Sequence, residues 1–489
     1  MHTTTLEGPA LRAGRRQWLG LAVLALPALL VALDIGALFL ALPHLSAQLG
    51  ATGTQQLWIT DIYGFLLAGF LITMGDLGDR IGRRRLLLIG ARALLGVAGA
   101  TLGPSTLALI SNMFGDPRKR GLAISVWAAC QFGGAALGPV VGGLLLERFW
   151  RGAVFLLGVP FMVVLLIVGP RVLPEFRTPA AGRLDPVSVA LSLAAILPAI
   201  YGIKELAVHG TQAVPVAALL AGLAVGVVFL GRQLRLDSPL LDLRLFSRPT
   251  FSAALIAMTL GSAALAGAGL MTSQYLQSVI GLQPAQAGLW QAPTGLGIAA
   301  GVLLAPVVAQ RIRSITAIGA GMVISTLGFL SLTQVGSSGG LVAVAFGIAV
   351  AAFGVGPMFV LGTSLVVGSA PPAKAGSAAS LSETSNVFGS TLGLAVLGSV
   401  GAAVYHHQMA GSVTTSLPPE AAHAAGETIA GAVAAAGQLP TGPAAELLQA
   451  ARDAFTSGLN IAAAVGVIIT AAVALGLTAA FRRARLGGT

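Results

Sequence analysis

Four ionisable side chains lie where the surrounding sequence is apolar enough to be a membrane span: Asp34, Asp61, Arg92 and Glu383. A charge in hydrocarbon is costly, so such residues usually pair with one another, face a water-filled cavity, or mark the route of an ion or ligand. Asp34 sits well inside an apolar run, in Ala32-Leu33-Asp34-Ile35-Gly36. A carboxyl group in low dielectric holds its proton more tightly than in water. It can therefore alternate between a neutral acid and an anion that attracts a cation, and the competing role is a structural hydrogen bond to a neighbouring helix. Asp61 follows Trp58 by one helical turn, with Tyr63 two residues further on, so the aromatic ring and the carboxylate share a face. That pair suits a lipophilic cation through stacking and charge; it also suits ordinary interfacial anchoring. Glu383 lies among Ser380, Ser382, Thr384, Ser385 and Asn386. Either it contacts a proton or cation, or it belongs to a polar cluster that hydrogen-bonds between helices. Arg92 can pair with a buried carboxylate, or snorkel its guanidinium to the interface.

The elements that must position these groups are membrane helices. Of 489 residues, 55 % are apolar and only 9 % charged, which excludes a soluble globular protein. The formal charge of +11 does not point to nucleic acid, because the arginines occupy short turns between apolar runs and act as topology signals. Cys130 is the only cysteine, so there is no intrachain disulfide and no thiolate metal site. The sequence holds no G-x-x-x-x-G-K-[ST] phosphate loop, no H-E-x-x-H grouping and no cluster of polar residues around a nucleophile. Direct use of ATP, a resident metal or cofactor, and an enzyme are therefore not expected. His406 and His407 are expected as an exposed pair rather than ligands.

Apolar runs of near 20 residues, the length that crosses about 30 Å of hydrocarbon, begin with Trp18 to Pro43 and Leu57 to Met74. Between that second run and the next lies Gly75-Asp76-Leu77-Gly78-Asp79-Arg80-Ile81-Gly82-Arg83-Arg84-Arg85, too polar for hydrocarbon and hence an aqueous turn, cytoplasmic by its excess of arginine. Leu86 to Phe114 follows as one stretch, and then spans at 122–145, 152–169, 185–203, 213–230, 251–275, 288–308, 315–332, 341–369, 378–404 and 459–481, thirteen in all. The basic N-terminal tail and Arg482 to Arg485 place both termini in the cytoplasm. That parity conflicts with thirteen crossings. The conflict is confined to 86–114, where two basic turns are joined by 29 residues, too few for two crossings and a connection. Positions 405–458 are expected as an external polar loop with a helix within Pro419 to Ala435.

The segment 75–85 resembles the loop between spans two and three of the major facilitator superfamily, G-x-L-x-D-R-x-G-R-R, with Gly75, Asp76, Gly78, Asp79, Arg80, Gly82, Arg83 and Arg84 as its conformational loop. Asp34 and the following Ala41-Leu42-Pro43 resemble the first-span signature L-D-x-T-V-V-N-V-A-L-P of its fourteen-span drug/proton antiporters, with Gly36 in place of the usual threonine. Arg92, Gly96 and Ala100 resemble the fourth-span pattern R-x-x-x-G-x-x-x-A, which implies that most of the third span is missing. Gly134, Gly138, Pro139, Gly142 and Gly143 match the antiporter motif G-x-x-x-G-P-x-x-G-G found in exporters. In physical terms its small residues permit close helix contact and its proline breaks the hydrogen-bond ladder.

The resemblance implies an all-α integral membrane protein with the major facilitator fold: two helical bundles, 1–170 and 251–489, around a central two-span insert at 171–250. It implies a proton-coupled efflux antiporter for lipophilic or quaternary ammonium cations, monomeric, in a bacterial inner membrane, driven by the proton gradient. The alternative reading, from the missing span, is a transport-inactive remnant or a non-transport membrane protein.

Overall fold

In the C-terminal half, glycines let helices touch backbone to backbone. This matters because lipid tails are as apolar as leucine, so helices in a bilayer associate by close packing rather than by escape from water. The structure is a computed structural model that describes residues 17–33 (31 apart), parts of 106–114, 116–148, 158–173, 185–209, 212–236, 243–370, 375–410, parts of 422–427, and 428–486 (438 apart). Every regular element among them is helical. Seven of these helices are long and apolar enough to cross a membrane, and three shorter apolar helices accompany them.

Helix α1 spans Gln17–Leu30. It is followed by α2 (Pro117–Arg148), α3 (Gly158–Val172), α4 (Pro186–His209) and α5 (Ala213–Gln233). The second half contains α6 (Pro249–Val279), α7 (Pro284–Ala309), α8 (Ser314–Leu332), α9 (Leu341–Ser369), α10 (Ala375–Met409), α11 (Ile429–Ala436) and α12 (Thr441–Leu486). Helices α6 and α9 each contain a π turn, Tyr275–Val279 and Met358–Gly362. Such wide turns are uncommon and recur at functional sites. The second one packs against α2, α6, α7 and α8, so it lies where the two halves meet.

Helices α6 and α10 form the tightest seam. A Cβ on Gly389 would run into the Thr259 backbone and one on Gly393 into the Ala263 backbone, while one on Gly267 would stand 2.6 Å from the Gly393 carbonyl oxygen. The halves join through α2 and α7, and the core is continuous from Leu24 and Trp127 of the first half to Met258, Met322 and Met358 of the second. The hairpin α4–α5 packs on α10 through Ile200, with Ile196, Tyr201, Val387 and Phe388 around it. Val214, Leu220, Leu223, Val227 and Val228 of α5 are all more than half exposed, a face that hydrocarbon would cover.

Two boundaries differ from the sequence expectation. Lys204 and Glu205, just beyond the expected span 185–203, belong to the last turns of α4. The segment 405–458, written as an external loop, is helical at both ends: α10 runs to Met409 and α12 begins at Thr441, 18 residues before the expected span start at Leu459. Between them, helix lies at Ile429–Ala436, within and just beyond the Pro419 to Ala435 stretch. The reason is amphipathicity. Leu447, Ala451, Ala454, Phe455 and Leu459 are buried at helical spacing, while Glu446, Gln449 and Asp453 stay exposed. The insert is fastened by the Tyr405 hydroxyl, which donates to the Ala425 carbonyl at 2.9 Å, and by Thr428, whose hydroxyl accepts from the Gly431 amide at 3.0 Å and caps α11.

Candidate functional site

Glu383 lies eight residues into α10, roughly 12 Å from its start at 1.5 Å per residue. Its neighbours come from three elements. On its own helix, Asn386 shares its face one turn on and accepts a hydrogen bond from Ser262 of α6 at 3.1 Å. From the other half, the Gln131 side chain of α2 interacts electrostatically with the Glu383 carboxylate. Thr384 adds a buried hydroxyl without a partner among the described residues. The stretch of α10 that carries Glu383 is thus rich in neutral amides and hydroxyls, one of which, Asn386, ties it to α6.

Gln131 precedes the antiporter motif by three residues. In that motif Gly134 is buried and meets α1 closely: a Cβ there would stand 2.5 Å from the Leu29 carbonyl oxygen and 3.1 Å from Ala32 Cβ. Gly138 is also buried, and the helix continues through Pro139, Gly142 and Gly143 to Arg148. Thus α2 packs closely on the first span at Gly134. Asp34 follows Ala32 by two residues in sequence. Asp34 itself lies outside the described residues, as do Trp58, Asp61, Tyr63, Arg92 and the loop Gly75 to Arg84. The same holds for 86–105 of the stretch with broken parity; of its remainder, Thr106, Leu107, Leu109 and Ile110 are helical and buried.

Sequence reading passed over Gln131 because it carries no charge. Its signal was present: a glutamine within an apolar run, one turn before a glycine motif. A second polar group it passed over is the Asp185 clasp of the central hairpin. The Asp185 carboxylate accepts from Arg232 Nε at 2.8 Å, from the Ser188 hydroxyl at 2.7 Å and from the Val187 amide at 3.2 Å, and Gln233 donates to Ser188 at 2.8 Å. The Arg232 bond, with the Ser188 bond after it, holds the Asp185 carboxyl at about 2, below its ordinary value. Among the described residues no three or more His, Cys, Asp or Glu side chains are grouped as metal ligands, and His406 and His407 are exposed in the last turn of α10.

Glycine-built contacts between apolar helices and two joined halves describe a membrane helix bundle, and comparison with known proteins decides which. Residues 87–394 match the model of the Major Facilitator Superfamily. The chain belongs to this superfamily. It is thus a multi-pass membrane transporter and not an enzyme. Among curated superfamily relatives, the multidrug efflux pump LfrA of Mycolicibacterium smegmatis is 40 % identical, over 98 % of this chain and 100 % of its own length. The methyl viologen resistance protein SmvA of Salmonella typhimurium is 33 % identical, over 91 % of this chain and 94 % of its own. The LfrA alignment runs over 505 positions although this chain has 489 residues, so the relative carries residues that this chain lacks. Among solved structures, the human organic anion transporter MFSD10 shares the fold with a TM-score of 0.56 at 17 % identity, covering 93 % of this chain and 99 % of that one.

Proposed function

We propose that the chain is a proton-coupled efflux antiporter for lipophilic or quaternary ammonium cations, working by alternating access of its two halves around a central cavity. The observation that carries this reading is the antiporter motif in α2, whose Gly134 is pressed against the first span just before Asp34. The names of the relatives support it. Methyl viologen is a flat aromatic dication, the kind of molecule that a carboxylate beside an aromatic ring accommodates.

In this reading Asp34 is the principal coupling carboxylate and Glu383 a second one. Protons entering from outside neutralise them and release the bound cation outward; loss of those protons to the cytoplasm restores affinity. Trp58, Asp61 and Tyr63 line the outer path and recognise the cation, Arg92 pairs with Asp34 while it is charged, and the loop Gly75 to Arg84 restrains the change between states. Sparse charge in an apolar cavity favours lipophilic cations over sugars, whose hydroxyls need many polar partners. The protein works as a monomer in a bacterial inner membrane, with both termini in the cytoplasm and no cofactor.

A second reading is a transport-inactive remnant. It is favoured by the 29 residues available between two basic turns at 86–114. Reconstituted protein separates the two: addition of tetraphenylphosphonium to proteoliposomes that hold a proton gradient dissipates the gradient if the chain is an antiporter. A gradient indistinguishable from that of protein-free liposomes establishes the remnant.

A further inference from the structure

Helix α7 packs on α2 and α9 but meets α6 closely only at the wide turn Tyr275–Val279. There a polar bridge joins the two helices. The side-chain amide of Gln277, in the π turn, donates to the Ser273 hydroxyl oxygen at 3.2 Å, and the amide of Gln291, on α7, donates to the same oxygen at 3.2 Å. Gln277 also donates to the Ser273 carbonyl at 3.4 Å. A hydroxyl has a single proton to give, so two amides that share it cannot both offer it their oxygens; here both present their N–H groups. The amide oxygens of Gln277 and Gln291 are therefore turned away from Ser273, and among the described residues neither accepts a hydrogen bond.

These groups face inward. Gln291 shares its side of α7 with Ala287, Ile298 and Val302, four residues before and seven and eleven after it, all buried, whereas Leu289 and Leu296 on the opposite side are more than half exposed. Gln291 is nevertheless only half-buried, so the space before it is not filled by protein. On α6 the face of Ser273 also carries Ala266 and Gly269, both half-buried, and nothing lies within 4 Å of the Gly269 Cβ position. Eleven residues before Ser273, about 16 Å along the helix at 1.5 Å per residue, the same face holds Ser262, which bonds Asn386 of α10. An open strip of α6 thus leads from Asn386, one turn from Glu383, to the two amides.

The back of the π turn is fixed. The Tyr275 hydroxyl donates to the Gly336 carbonyl at 2.6 Å, in the turn between α8 and α9, and Leu276 and Val279 lie in one apolar cluster with Ile429 of α11 and Leu447 of α12. Wide turns recur at functional sites, and one anchored from behind presents Gln277 at a set position. We infer that Gln277 and Gln291, oriented by Ser273, form a hydrogen-bond-accepting subsite that selects lipophilic cations bearing N–H donors over cations that carry none. This deepens the efflux reading given above and rests on it.

The chemistry of an amide oxygen suits the task. It offers the negative end of a dipole to an N–H on a delocalised cation, without the desolvation cost of a further carboxylate. A site built to receive donors also rejects an analogue that lacks them, because its acceptors are then left unpaired. Carboxylates answer the charge of the substrate; this pair answers its donors.

Rhodamine 6G and tetramethylrhodamine ethyl ester are matched probes. Both are monovalent xanthylium ethyl esters, but the first carries N–H groups and the second has fully alkylated nitrogens. With the full-length chain in proteoliposomes, and protein-dependent uptake driven by a proton gradient, the wild type is expected to show a KM for rhodamine 6G about fivefold below that for tetramethylrhodamine ethyl ester, the ordinary worth of one neutral hydrogen bond. Gln277→Leu and Gln291→Leu each raise the KM for rhodamine 6G toward that of its partner and leave the KM of the partner unchanged. Equal KM values for the two dyes in the wild type would overturn the inference without recourse to any variant. So would variants that keep the preference, or that change both dyes alike, as a purely structural bridge between α6 and α7 would. A wild type that takes up neither dye would overturn the efflux reading, and this inference with it.

Discussion

Gly134 of α2 faces the carbonyl of Leu29 in α1 so closely that a methyl group at its Cβ position would stand 2.5 Å from that oxygen. Real side chains do not approach a backbone oxygen to that distance, so one helix must move if Gly134 is enlarged. The neighbouring Gly133 has open space at the same position.

The pair gives an internally controlled prediction. Gly134→Val forces the two spans apart at a cost of about 1–3 kcal/mol, typical of an overpacked contact, and lowers efflux at unchanged membrane abundance, whereas Gly133→Ala transports normally. Transport per molecule, with abundance measured by immunoblot, checks it. Equal activity of both variants would mean that α1 and α2 are not in tight contact.

The seam between α6 and α10 predicts loss of stability rather than of transport chemistry. Gly393→Val drives a side chain into the Ala263 backbone, so detergent-solubilised protein should unfold earlier by the equivalent of about 1–3 kcal/mol. Gly269→Ala is the control, because nothing lies within 4 Å of its Cβ position. Thermal unfolding of the three proteins side by side decides it, and a Gly393→Val midpoint equal to wild type would contradict the seam.

How much of this was legible in the sequence depended on the kind of signal. Hydropathy placed α5 and the start of α4 within about three residues, because each is a continuous apolar run bounded by polar residues, but it ended α4 before Lys204 and Glu205, which the helix includes. It could not reveal that Asp185 and Arg232, 47 residues apart, close the hairpin. The same criterion began α12 at Leu459, since Thr441 to Gly458 is too polar to count as a span although its buried positions recur at helical spacing. For the candidate site, charge led straight to Glu383 and to the polar residues beside it on the same helix, Asn386 among them, while Ser262, which bonds Asn386 from α6, gave no comparable signal. Its importance comes from which helices adjoin, and adjacency of distant segments is not written in local periodicity.

The Asp185 clasp predicts a dependence on pH whose sign follows from its lowered value. A carboxyl held at about 2 in the folded chain, against about 3.9 unfolded, contributes stability that is full above pH 4 and is lost as pH falls through 2. The unfolding midpoint of wild type should exceed that of Asp185→Asn by a constant margin from pH 7 to about pH 4, and the margin should shrink toward pH 2. A margin that grows on acidification would assign the opposite sign and exclude the clasp as its source.

Asp61 carries a prediction about substrate charge. If it supplies a second carboxylate at the outer mouth beside Trp58, Asp61→Asn should impair export of a bis-quaternary cation such as methyl viologen more than that of tetraphenylphosphonium. Side-by-side vesicle transport curves, corrected for protein amount, provide the comparison, and equal losses would assign Asp61 a general folding role.

Asp34 is the residue on which the antiporter reading depends most. In inside-out membrane vesicles, acidification of the lumen should drive uptake of tetraphenylphosphonium by the wild type, and Asp34→Asn should abolish that uptake while inserting in the membrane at comparable abundance. Uptake by Asp34→Asn equal to that of the wild type, under the same proton gradient, would contradict the account.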